Sequence, residues 1–148
     1  MVGYIPQLEL SDSRTGFVTR ASSHSTNKYA HYAFNTSRDA WVSMAEGATN
    51  AWLQVRCPEE VRIWRVALKA RNITGRNITA WTFMGSNSGK IFTTLISSTT
   101  TLEGSAQMPS FFDINTAEKY MFYRLQISAS TGSNDVGIHH MQLYVYDA

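Results

Sequence analysis

Apolar residues along the chain rarely recur at three and four over ten or more positions, so no amphipathic helix is expected. They fall instead into short alternating or apolar runs bounded by Gly, Ser, Thr and Asn, the pattern of β-strands. The clearest runs span 51–57, 61–70, 78–85, 91–96, 121–128 and 136–146, with weaker ones near 7–10, 17–20 and 110–114. In the fifth of these, Met121, Tyr123, Leu125 and Ile127 share one face, and Phe122, Arg124 and Gln126 share the other. Near the end, Met141, Leu143 and Val145 alternate with His140, Gln142, Tyr144 and Tyr146. Such strands bury one face and turn the other to solvent or to a second layer. Eight or so of them predict an all-β sandwich or barrel.

Long polar segments separate the strands: 21–50, 72–77, 97–107 and 130–135. Segments of this length in a compact domain are often functional, and 21–50 and 130–135 are expected to meet at one end of a sandwich. The 148 residues fit a single domain, 1–148. Charged residues are only 16% of the chain, whereas Ser and Thr number 16 and 15, so the surface is polar but weakly charged. A net charge of +2 argues against a partner rich in phosphate, and no nucleic acid is expected. Nine of the 13 basic residues are arginine, a planar fork of donors rather than a point charge. This balance suits an uncharged polar ligand better than a phosphate. The single cysteine, Cys57, precludes an internal disulfide and reads as a buried structural thiol. No apolar run reaches the roughly 20 residues of a membrane span. The opening Met1–Pro6 lacks the regions of a signal peptide, so either export follows another route or the chain is part of a longer protein.

Catalytic patterns are absent from the sequence. Gly85-Ser86-Asn87-Ser88-Gly89 carries Asn where a nucleophile elbow needs Ser, and there is no phosphate loop or His-Glu-x-x-His motif. Strand alternation sends the adjacent His139 and His140 to opposite faces, which disfavours a shared metal. Asp39, Glu46 and Asp135 are scattered rather than paired as in glycosidases. Of the four Trp residues, Trp52 and Trp81 read as core or half-buried strand positions, Trp41 lies in a polar segment, and Trp64 shares a face with Arg62. A sugar site combines aromatic faces with a few placed polar groups. Segment 22–32 offers His24, Asn27, Lys28, Tyr29, His31 and Tyr32; segment 71–77 offers Arg71, Asn72, Arg76 and Asn77; segment 131–135 offers Ser133, Asn134 and Asp135. The same composition also fits ordinary solvated loops.

Seven stretches in order resemble the discoidin family, the coagulation-factor C-type domains of the galactose-binding-domain-like superfamily. They are Tyr29–Asn35, Ala40–Ser43, Trp52–Val55, Ile63–Arg71, Phe83–Gly89 with Phe92 and Leu95, Tyr120–Leu125, and Gly137–Tyr144. Together they reach over roughly residues 20–146. The resemblance implies an eight-stranded jelly-roll β-sandwich with binding loops at one end, and a non-catalytic recognition module, commonly for glycans and sometimes for membranes or proteins. Arg71 matches the sugar-binding Arg of galactose-binding members, whereas their His after Trp is Val42 here. Many members bind calcium. Here the family's Asp-Gly is Asn35-Thr36 and its closing-strand Glu is His140, which leaves Asp39 as the nearest carboxylate; no cofactor is expected. The terminal Cys pair of coagulation-type domains is absent.

These readings converge on a carbohydrate-binding module for cell-surface glycans, placed outside the cell or on a virion, as on a viral or phage fibre, where the parent protein would make it a homotrimer. The expected ligand-binding residues are Arg71, donating to neighbouring hydroxyls, Tyr29, stacking on the ring, and Asn72, His31 and Asn134. A protein-interaction module, or a membrane-surface module using Lys28, Tyr29 and Tyr32, stands as the alternative.

Overall fold

The computed structural model describes residues 3–8, 15–35, 39–44, 50–131 and 135–146. They form nine strands: β1 (Val18–Ala21), β2 (Trp41–Val42), β3 (Trp52–Val61), β4 (Ile63–Ala70), β5 (Ile78–Ser86), β6 (Thr93–Ser98), β7 (Ser110–Asp113), β8 (Tyr120–Ser130) and β9 (Gly137–Val145). One sheet has the order β1-β3-β8-β5-β6 and the other β2-β9-β4-β7, and the paired strands are antiparallel throughout. This is the all-β sandwich that the alternation implies. The strand that the pattern does not show is β2. Its two residues, Trp41 and Val42, are both buried, and so short a pair has no period. A 3-10 helix, Ala30–Phe34, buries Ala30, His31, Ala33 and Phe34. The run at 7–10 is not a strand in its described part: Leu8 is buried in irregular chain, its N–H donating to Phe34 O.

One core lies between the sheets. Leu53, Val55 and Cys57 from β3 meet Tyr123, Leu125 and Ile127 from β8 and Val66 and Leu68 from β4. These are the alternate positions of each strand, as a half-buried sheet requires. Trp81 is fully buried and edge-on to Phe112 at 4.7 Å between ring centroids. Tyr123 stacks on Phe83 at 5.8 Å and donates its hydroxyl to Val61 O.

Two irregularities change the faces expected from alternation. The register shifts between Ile63 and Arg65, so Trp64 is half-buried and Arg65, rather than Arg62, lies over its ring, at 4.5 Å. A second shift, between Lys69 and Ala70, makes His139 the extra residue opposite β4. This bulge breaks the strict two-face alternation expected for His139 and His140, and both are half-buried beside Lys69.

The loops after β1, β2, β4 and β8 gather at one pole. Segment 21–50 meets the chain just after 130–135 there, in its described part: Ser43 N–H donates to Val136 O, and Val136 N–H to Ser43 Oγ. At the other pole Tyr4 N–H donates to Leu143 O, and Ile5 exchanges two hydrogen bonds with the Gln142 side chain. The 3-10 helix has five residues, and no described helix is long and apolar enough to cross a membrane.

Candidate functional site

The segment after β1 is rich in serine, and serine hydroxyls readily bond nearby backbone. Ser22 Oγ accepts from Trp52 N–H, Ser23 Oγ accepts from Met44 N–H, and Ser25 Oγ donates to Ser43 O. Trp41 is fully buried and its indole N–H donates to Ser23 O at 2.9 Å. Lys28 O accepts from Val42 N–H, and the Lys28 ammonium pairs with Asp39. Asn27 turns the chain with φ at 59°, a conformation that Asn tolerates better than most residues. The outcome is an ordered loop that presents an aromatic cluster. Tyr29 stacks on His31 with centroids 5.9 Å apart and planes 8° apart. His24 lies 5.0 Å from Tyr29, and Tyr32 meets both Tyr29 and His31 edge-on.

This cluster walls a cavity of about 430 Å³ lined by Thr19, Arg20, Ala21, His24, Tyr29, Ala30, His31 and Trp52. The end of β1 and the start of β3 form its floor. Thr19 is 4% exposed, and its Oγ1 has no hydrogen-bond partner among the described residues. The cavity offers aromatic faces, imidazole nitrogens and one guanidinium.

The residues expected to bind ligand divide. Tyr29 and His31 line the cavity together. Arg71 does not: it is at the end of β4, where its Nη1 is 3.2 Å from Asp135 Oδ1, and Arg76 Nη1 reaches the same oxygen at 2.8 Å. The space between those residues is only about 10 Å³, less than one water molecule needs. Asn72 is exposed on the adjoining turn, and Asn134 lies outside the described residues. The sequence reading omitted Thr19 and Trp52, whose strand positions gave no sign that they face a loop 5–30 residues away in sequence.

The positions that hold calcium in the resembling domains do not fit a dication here. Asp39 is committed to Lys28 and to Ala40 N–H. Asn35 donates its amide to Leu8 O. His140 faces the positive charge of Lys69 and His139. Among the described residues no three His, Cys, Asp or Glu side chains group closely enough to hold a metal ion.

Comparison with known proteins places this architecture. The F5/8 type C domain family matches residues 18–140. No curated protein is significantly similar in sequence. Among solved structures, the family 32 CBM from Clostridium perfringens NanJ, in complex with galactose, is similar with a TM-score of 0.75 at 16% identity, covering 95% of this chain and 97% of that one. The CBM32 of AlyQ, in complex with 4,5-unsaturated mannuronic acid, gives 0.71 at 13% identity over 86% and 93%. Chitosan-binding module 1 of a chitosanase/glucanase from Paenibacillus sp. IK-5 gives 0.71 at 23% identity over 86% and 93%. The chain thus has the fold of the CBM32 modules, and it belongs to the F5/8 type C domain family.

Proposed function

We propose that the domain binds carbohydrate and that the sugar seats in the Tyr29–His31–Trp52 cavity. The observation that carries this reading is the aromatic-walled cavity in which His24, Tyr29, His31 and Trp52 stand beside Arg20. Apolar C–H faces of a pyranose suit the rings, and its hydroxyls suit His24, His31 and Arg20. The structural relatives solved with sugars support the same ligand class. Arg71, tied to Asp135, acts in this reading by holding the 71–76 turn against the 135–136 segment. The setting we infer is extracellular, on a surface protein or a virion fibre whose other parts would set a trimeric state; sugar chains exposed on cells are the ligands such a module meets.

A glycan array followed by calorimetry on the best ligand tests the proposal. Tyr29→Ala and Trp52→Ala should each weaken binding about tenfold or more, close to 1.4 kcal/mol. Arg71→Ala should weaken it less than about threefold. Unchanged affinity in Tyr29→Ala, with loss in Arg71→Ala, would move the seat to the 71–77 turn.

A further inference from the structure

The outward face of the five-stranded sheet gathers arginine. Arg20 on β1 is in register with Gln54 on β3, which is in register with Arg124 on β8. One step along, Arg56 is in register with Phe122 and its guanidinium stands 5.8 Å from that ring. Directly opposed residues of an antiparallel pair share a face, so all three arginines point the same way. Among the described residues none of the three has an ion-pair partner, whereas Arg65, Arg71 and Arg76 are all paired with aspartates.

Arg124 is the most organised of them. Its guanidinium carbon lies 3.9 Å from the Trp52 ring centroid and 4.1 Å from that of Phe92. Gln54 Oε1 accepts from Nε at 2.9 Å and from Nη2 at 2.7 Å, two of the five donors an Arg carries. Burial draws its pKa below the ordinary value, as befits a cation that has lost water without gaining a counterion. Phe92 is delivered by a fixed turn: Ser86 Oγ accepts from Ser88 and Gly89 N–H, and Ser88 Oγ accepts from Lys90 and Ile91 N–H. Trp52 and Arg20 also line the sugar cavity, so the two surfaces are continuous.

We propose that this face extends the site, and that the ligand is a carboxylate-bearing oligosaccharide running from the cavity across Trp52 onto Arg124, Arg20 and Arg56. The proposal rests on the carbohydrate reading above. Aromatic rings take the faces of successive sugars, and guanidinium groups take their carboxylates through paired N–H donors. Three unpaired cations on a strand face suit a short acidic chain better than a duplex, which needs many more phosphate contacts.

Titration calorimetry with tetramannuronate and tetragalacturonate, each beside its fully methyl-esterified form, at low and moderate salt, tests it. At least one acid chain should bind about tenfold tighter than its uncharged ester, with the preference shrinking as salt rises. Arg20→Gln/Arg56→Gln should cut that preference below about threefold, and Arg56→Gln alone, exposed and outside the cavity lining, should weaken acid binding and leave ester affinity unchanged. Equal binding of acid and ester, or a preference that survives the double substitution, overturns the extension alone. Absence of binding to every tetrasaccharide and every arrayed glycan defeats the carbohydrate reading with it. Capture of phosphatidylserine vesicles or duplex DNA through these arginines, without uronate binding, also overturns it.

Discussion

Cys57 shows how one side chain's chemistry is decided by its surroundings. It sits fully buried between the sheets, and burial pushes its thiol up to about 12. The thiolate is the reactive form, so at pH 8 native protein should leave Ellman's reagent uncoloured, and one thiol per chain should appear on adding denaturant. Rapid labelling of the folded domain would contradict this burial. Thr19 is the opposite case, a small polar group buried with no hydrogen-bond partner among the described residues. Trp52 and Arg124 lie between these two, the guanidinium resting on the indole ring.

The elements depend on close backbone contact as much as on side-chain burial. Gly104 donates its N–H to Asn77 Oδ1, and a Cβ there would come within 2.6 Å of Arg76 O and collide with Ile73 O. The obstacle is backbone, which cannot swing away as a flexible side chain can. Gly104→Ala should therefore lower the melting temperature by several degrees, roughly 1–3 kcal/mol, and a variant as stable as the parent would show that the 71–77 turn is free to move. The strands themselves were legible from alternation, because β3, β5, β8 and β9 each bury one face. The exceptions have physical causes. Trp41–Val42 is buried on both faces and has no period, and the order of the 22–29 loop comes from hydrogen bonds to residues 18–30 positions away. Tyr29 and His31 were legible as candidate site residues from the make-up of their loop. Their neighbours Thr19 and Trp52 were not, since nothing in a strand's alternation says which loop will close over its end. The pairing of Arg71 with Asp135, 64 residues away, is likewise a feature of the fold that the sequence pattern does not show.

At the scale of the molecule, charge placement departs from charge content. A chain with a net +2 and few ionisable groups reads as suited to neutral ligands, yet the fold pairs Arg71 and Arg76 and, among the described residues, leaves Arg20, Arg56 and Arg124 of one sheet face without an ion pair. On the other sheet, His140 is pulled below the usual imidazole value by burial and by the charges of His139 and Lys69, and His139 by burial and Lys69. The unfolded chain then binds protons more readily than the folded one. Their contribution to stability is therefore complete above about pH 6.5 and is lost as pH falls through the folded values. Melting temperatures measured from pH 7.5 to 5 should decline on the acid side, and His140→Gln should flatten that decline. A melting curve independent of pH across this interval would contradict the burial of the imidazole pair.

The hydrogen bonds that join Tyr4 and Ile5 to Gln142 and Leu143 fasten the first described stretch to the last strand. β9 travels from the cavity pole, at Gly137, to the opposite pole, at Val145. Loss of the Gln142 side chain would therefore loosen the leading stretch at the far pole without touching a residue that lines the cavity.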